Sequence, residues 1–345
     1  MDVLIIYQFC TFGGVERAVL NRARTLKKHG LEVTISVGYL RDFGALRSFQ
    51  DYIRAHELDD RLSAFLIAED SFPDPADYDL VLNIDTPQIF KRTRTAKNIY
   101  VECHTPYIEN RQYLQTVPKN TRGIIVPSES FRALIESEFP HLPPVFVLPN
   151  PVSDEFFNIQ PSSEFDFFSK HPIAYFARLD ELKNFSEAVE IFELFSVAGE
   201  TMFLVIGNGA EDKLNSFEEK GLLGKTLFRD HLDFDLAPAL VDLVRRHRGI
   251  FISPSKGESF GLSAAEFISG GVPVMLSDIP AHRELVNHDE RFLYPLGEIK
   301  TAQARITDLM ENWETMHGLM TSYSAKFKGD AFINAWKKLA ASGVE

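Results

Sequence analysis

Cysteine is nearly absent from this sequence: Cys10 and Cys103 are the two in 345 residues, and their spacing is not that of metal ligands. That argues against a disulfide scaffold or a zinc site and fits buried thiols in a reducing cytosol. No apolar run is long enough to span a bilayer. The N-terminus, Met1-Asp2-Val3-Leu4-Ile5-Ile6-Tyr7, has neither a basic n-region nor a small-residue cleavage site, so it reads as a first strand rather than a signal peptide. A basic excess is missing too. The formal net charge is −13, and neither the first 165 residues nor the remainder is basic, which argues against a general nucleic-acid binder. The local exception, Lys91-Arg92-Thr93-Arg94-Thr95-Ala96-Lys97, reads either as a solvated loop or as a contact for anionic lipid headgroups or an acidic acceptor. The G-x-G-x-x-G dinucleotide fingerprint is also lacking after the first strand.

What is present points to two α/β domains, since the length exceeds what one core organises. The most informative stretch is Ser253 to Pro273. Gly249-Ile250-Phe251-Ile252 before it suits a buried strand, and Ser263-Ala264-Ala265-Glu266-Phe267-Ile268 spaces its apolar residues for one helical face. Gly270 and Gly271 stop that helix before Val272-Pro273-Val274-Met275-Leu276. Gly257 and Gly261 let backbone approach a ligand, and free amides at a helix start attract anions. Glu258 in the loop and Glu266 in the helix place one carboxylate by a reacting group and the other by hydroxyls further along. A phosphate flanked by two polyols, such as a nucleotide sugar, fits. The alternative is an ordinary βαβ turn with surface glutamates.

Other strand-to-helix turns follow the same plan. Gly13-Gly14 leads into a helix that Gly30 ends. His104 ends the strand from Asn98, where parallel sheets bind ligands; it reads as a site residue or as a histidine satisfied by backbone. The segment 105–118, with Tyr107, Arg111 and Tyr113, reads as an acceptor-side loop. Ser128 or Ser130 caps the helix after Gly123-Ile124-Ile125-Val126. Residues 158–170 read as a linker. Beyond it, Arg178 and Lys183 follow the strand Pro172 to Ala177, close enough to share one ligand, and two cations beside a diphosphate stabilise its growing charge. Gly207-Asn208-Gly209-Ala210-Glu211 makes a further glycine turn. The tail from Asp330 carries Phe332, Ala335, Trp336 and Leu339 on one face of a helix.

Glu258-Ser-Phe-Gly-Leu-Ser-Ala-Ala-Glu266 resembles the E-x7-E motif of retaining GT-B glycosyltransferases of the family 4 type, the glycosyl transferases group 1. The Arg178…Lys183 pair and the Gly207/Gly209 loop resemble that family in order and spacing, and Gly13-Gly14 and His104 resemble its N-terminal loop and histidine. Asn150-Pro151-Val152 departs from its usual Asn-Gly-Val turn. The resemblance implies two doubly wound Rossmann-like domains facing a cleft. They would be an acceptor-side domain, 1–165, with a C-terminal helix, 328–345, packing back on it, and a nucleotide-sugar domain, 166–327. It implies a retaining hexosyl transfer from a nucleotide-diphosphate sugar, UDP- or GDP-linked, to an acceptor hydroxyl in polysaccharide or glycoconjugate synthesis. His104, Arg178, Lys183 and Glu258 would be catalytic. Gly13, Gly14, Gly207, Gly209, Ser259, Phe260, Gly261, Leu262 and Glu266 would bind the donor. Neither metal nor cofactor is implied, and the leaving phosphate would take the acceptor's proton. Carbohydrate, lipid-linked and small-molecule acceptors stay open. The expected place is the cytoplasm, with at most peripheral contact at the inner face of a membrane. A sugar phosphorylase or nucleotide-sugar epimerase on the same fold, and a non-catalytic two-lobed binder, are the alternatives. Epimerases lack this form of E-x7-E, and a mere binder need not keep the diphosphate cations.

Overall fold

The computed structural model describes residues 1–345 except 12, 69, 162–170, 197–200, 208, 210–213, 231, 344 and 345. The chain forms two compact units, Met1–Pro151 with Lys328–Glu345, and Val152–Phe327. Residues 152–165, grouped by sequence with the first domain, begin inside the second: Val152 and Phe156 are buried in its core, and Val152 N–H donates to Phe327 O. Most of the linker segment, and its Phe167-Phe168 pair, lies outside the described residues.

The first unit opens with β1 (Asp2–Cys10), α1 (Gly14–Lys28), β2 (Thr34–Asp42), α2 (Leu46–Ala55) and β3 (Leu62–Leu66). It continues with β4 (Leu80–Ile84), β5 (Ile99–Glu102), β6 (Gly123–Val126), α3 (Glu129–Glu138) and β7 (Val145–Val147). Among the described residues these strands make a seven-stranded parallel sheet, ordered β3-β2-β1-β4-β5-β6-β7. The runs Leu4-Ile5-Ile6, Leu80-Val81-Leu82 and Ile124-Ile125-Val126 are buried, as a sheet covered on both faces requires. Helix α1 buries Ala18, Val19, Leu20, Ala23 and Leu26, carries Glu16 in its first turn, and ends with Lys27 and Lys28 beside its negative pole. Ser128 is the cap of α3: its hydroxyl accepts from Phe131 N–H at 3.2 Å. Both cysteines are buried thiols.

The second unit begins with β8 (His171–Phe176), α4 (Phe185–Phe195), β9 (Thr201–Ile206), α5 (Leu214–Glu219), β10 (Thr226–Arg229) and α6 (Ala237–Arg246). Then follow β11 (Ile250–Ser253), α7 (Leu262–Ser269), β12 (Val274–Ser277), α8 (Pro280–Leu285) and β13 (Leu293–Tyr294). Helices α9 (Ile299–Glu311) and α10 (Trp313–Tyr323) complete it. Its described strands form a six-stranded parallel sheet ordered β10-β9-β8-β11-β12-β13. The last helix, α11 (Gly329–Gly343), belongs to the first unit and packs on α1, where a side chain at Gly329 would run into Thr25.

In both sheets the direction of winding reverses once, between β1 and β4 and between β8 and β11. At such a point two neighbouring loops leave the carboxyl ends of the strands on opposite faces, opening the crevice where α/β sheets hold ligands. The glycine after β9 is needed for packing. A Cβ on Gly207 would lie 2.0 Å from the Ala177 carbonyl oxygen, a backbone atom that cannot step aside. Around Gly14, by contrast, an added Cβ meets nothing within 4 Å. Gly207→Ala should therefore cost about 1–3 kcal/mol of stability, whereas Gly14→Ala, at a helix start, should hold or slightly raise it. Urea midpoints of the two variants check this, and equal losses would contradict it.

Candidate functional site

At the reversal in the second sheet, the loop after β8 carries Arg178 and Lys183, and the loop after β11 carries Glu258. Asp180 Oδ1 accepts the Lys183 N–H at 2.9 Å, while Tyr175 donates its hydroxyl to Arg178 O at 2.8 Å, which shapes the first loop. Lys256 N–H donates to Leu182 O at 2.8 Å and stitches the two loops together. Lys183 Nζ then reaches Glu258 Oε1 at 2.6 Å, and Ser255 Oγ donates to the same oxygen at 2.9 Å. Burial alone would raise the Glu258 carboxyl, but the Lys183 charge and these hydrogen bonds outweigh it and hold the group below the usual range.

Arg178 is turned outward, its side chain 60 % exposed and its Nε 3.3 Å from Asp180 Oδ2. Lys183, at 15 %, is largely enclosed. Of the two cations expected to share one ligand, the structure brings Lys183 to the glutamate and leaves Arg178 at the rim. Gly261, at φ +87, adopts the left-handed conformation that opens α7, and a Cβ there would press on Leu285 at 3.0 Å. Ser259 and Leu262 flank it half-buried. Phe260 faces inward against Phe327, so only its backbone is available to the loop. Glu266 is buried within α7. Gly209 takes φ +89 with open space where a Cβ would stand, whereas Asn208, Ala210 and Glu211 lie outside the described residues.

Beneath the Glu258 loop lies a buried polar layer that sequence reasoning missed. The Ser277 hydroxyl donates to Ser255 O at 2.5 Å, and the His282 ring sits with Nδ1 2.9 Å from Ser277 O and Nε2 3.5 Å from Ser253 Oγ. Burial lowers the His282 ring to about 4. The available signal was a histidine inside the short helix following β12, with a serine closing each of β11 and β12.

In the first unit, Gly13 N–H donates to Glu16 Oε2 at 2.6 Å, which fastens the Gly13-Gly14 turn to its own helix. Burial raises the Glu16 carboxyl, against the pull of these backbone hydrogen bonds. His104, just past β5, has its ring on a carboxylate rather than on backbone: Nε2 is 2.6 Å from Glu102 Oε1. Its backbone N–H donates to Asp85 Oδ2 at 3.0 Å, and the Tyr113 hydroxyl donates to Asp85 Oδ1 at 2.8 Å. Asp85 holds φ +42, a left-handed backbone uncommon outside glycine. Arg22 of α1 donates to both Glu102 oxygens and to Asn150 Oδ1 at 3.1 Å. Burial would push Glu102 up, yet Arg22 and His104 bring it down to about 2. Arg111, on the segment read from sequence as an acceptor-side loop, is buried, and its Nε and Nη2 donate to the two Glu138 carboxylate oxygens at 2.6 Å each. The run from Lys91 to Lys97 keeps its charged side chains exposed, and Asn120 ties its backbone at Thr93 and Ala96. Among the described residues no group of His, Cys, Asp or Glu is placed to hold a metal ion, and no helix is long and apolar enough to cross a membrane.

Residues 164–323 match the family model described as glycosyl transferases group 1. A probable sucrose-phosphate synthase from Thermosipho melanesiensis is 26 % identical over 207 residues, or 56 % of this chain and 47 % of that protein. The chain thus spans about half the length of the curated relative it matches. Among solved structures, HepE of Anabaena, crystallised with UDP and glucose, superposes with a TM-score of 0.75 at 17 % identity, covering 99 % of this chain and 100 % of that one. TarM of S. aureus gives 0.77 at 12 % identity, covering 98 % of this chain and 99 % of that one. The pneumococcal O-GlcNAc transferase GtfA, with UDP and GlcNAc, gives 0.75 at 13 % identity over 100 % of this chain and 99 % of that one. At these identities the structures establish the fold, two Rossmann-like units of the GT-B class.

The buried titratable groups separate in pH. His282 is neutral when folded and recovers its ordinary affinity for protons when unfolded. Stability should therefore fall as pH drops from about 6.5 to about 4, by a total of about 3 kcal/mol. Glu102 adds its own loss lower down, between its usual range and about 2. Denaturation midpoints against pH should show His282→Gln flattening the upper window alone; an unchanged slope there would contradict the assignment.

Proposed function

Because residues 164–323 match the glycosyl transferases group 1 and the chain has the GT-B fold, we propose that it moves a glycosyl unit from a nucleoside-diphosphate sugar to an acceptor hydroxyl with retention at the anomeric carbon. The observation that carries this reading is the Lys183–Glu258 contact of 2.6 Å at the winding reversal of the second sheet, beside the amides that open α7. A lysine and a glutamate paired over a glycine turn supply a cation for a diphosphate and a carboxylate for sugar hydroxyls from one spot.

In this reading the bond from the anomeric carbon to the phosphate oxygen breaks, and its electron pair leaves on the diphosphate. Lys183 shifts from Glu258 toward the new negative charge, Arg178 approaches from the rim, and the amides of Phe260 to Leu262 donate to the phosphate oxygens. The acceptor oxygen bonds to the anomeric carbon from the same face, and its proton passes to the leaving phosphate oxygen. Glu258 holds the sugar and Glu266 the ribose. The glycines of the turns, Gly13, Gly14, Gly207 and Gly209, keep the backbone low around the donor. His104 is assigned to the reaction centre. The donor base, sugar and acceptor follow from experiment, with UDP, which accompanies the similar HepE and GtfA structures, the first to try. The unit Met1–Pro151 with Lys328–Glu345 is proposed as the acceptor side and Val152–Phe327 as the donor side.

A thermal-shift panel of UDP, GDP, ADP and TDP with their sugar conjugates tests the assignment. At about a hundred times its dissociation constant, a bound donor should raise stability by about 2.7 kcal/mol. Lys183→Ala should lose that response and reduce turnover by about 10²–10³-fold. Glu258→Gln should keep binding of the bare diphosphate while losing turnover. No response of the wild type to any nucleotide would move the protein to the non-catalytic class, and an unchanged response in Lys183→Ala would displace the diphosphate from that loop.

A further inference from the structure

The Arg22–Glu102–His104 arrangement goes beyond what a structural ion pair needs. Arg22 and Glu102 are each 1 % exposed, and burying such a pair gives little or no net stability over apolar residues of similar volume. Nevertheless Glu102 Oε1 is shared between the guanidinium and the His104 ring. The histidine is held a second time through its backbone, by Asp85, whose other oxygen is fixed by Tyr113. Asn21, next to Arg22 on α1, donates to Pro151 O at 2.9 Å, and Asn150 accepts from Arg22, so the helix that aims the guanidinium is itself tied down. The ring keeps a narrow opening, at 12 % exposure.

We propose that Arg22 and Glu102 are positioning residues for His104, setting its ring direction and tautomer so that Nδ1 is the nitrogen offered at the end of the first unit's sheet. The proposal rests on the reading of His104 as a reaction-centre group. A carboxylate held by a guanidinium has no proton to give, so in the neutral ring Nε2 carries the proton and donates it to Glu102. Nδ1 then holds a lone pair that accepts a hydrogen bond from a hydroxyl, such as one on a sugar. Without Glu102 the ring can turn over or exchange tautomers and present N–H where an acceptor is required. Loss of the correct tautomer affects turnover far more than affinity.

Nitrogen-15 NMR of histidine-labelled protein reads the tautomer directly, with His104→Gln identifying the signal. At a pH where the ring is neutral, the wild type should show His104 with Nε2 protonated and Nδ1 bare. Because Glu102→Gln leaves Arg22 buried without its counter-charge and can fail to fold, the double variant Arg22→Met/Glu102→Gln, which removes both charges, is measured beside it. Either variant should show a mixed or reversed tautomer, and kcat should fall about 10²-fold with little change in donor KM. A wild-type ring protonated on Nδ1, or variants that keep the wild-type tautomer, would overturn the proposal. A changed tautomer with full kcat would remove His104 from the reaction centre and the positioning role with it. If no nucleotide sugar is turned over by the wild type, the transfer reading fails while the tautomer result still decides whether Glu102 sets the ring.

Discussion

The ion pair between Lys183 and Glu258 is the interaction on which the second unit's site depends. The two residues stand 75 positions apart, and they meet because β8 and β11 are neighbours at the place where the winding reverses. Burial alone would raise this carboxylate's affinity for a proton, and the lysine beside it lowers that affinity again. Each group is the other's counter-charge. The Ser255, Ser277 and His282 layer below supports the loop from the protein side, and its histidine stays neutral because it is buried.

The first unit solves the same electrostatic problem with different residues. Glu102 is kept ionised by Arg22 and His104, and Asp85 is anchored by hydrogen bonds from His104 and Tyr113. In both units a carboxylate lies at or just beyond the carboxyl end of a strand, with its cation delivered by a neighbouring element. The recurrence follows from the parallel sheet, whose loops at that edge are free of the hydrogen-bond ladder and able to carry polar side chains. The strands beneath are apolar on both faces and tolerate a charge only when it arrives paired.

Much of this was legible in the order of residues. Apolar runs bounded by glycines mark the strands because sheets covered on both faces need uninterrupted hydrophobicity. The site loop of Ser253 to Pro273 was readable because strand, glycine turn and helix follow one another locally. Strand β3 was not, since Leu62-Ser63-Ala64-Phe65-Leu66 is a short edge strand whose pairing with β2 comes from tertiary contact. Two anomalies marked the buried network without identifying it. Arg22 interrupts the apolar face of α1 between Val19 and Leu26, and Glu102 interrupts the run from Ile99 to Cys103. Each looks like an error of pattern alone, and only their meeting makes sense of both.

Fold class and the chemical kind of group available at each turn can be read from residue order, because secondary structure and loop chemistry depend on neighbours a few residues away. Which of those groups come together is settled by the packing of distant segments. It joined Lys183 to Glu258 and left Arg178 on Asp180, gave Arg111 to Glu138, and set His104 on a carboxylate that Arg22 holds ionised. Those choices depend on strand order and on burial, which sets how strongly a charge needs a partner. Neither quantity is local to the chain.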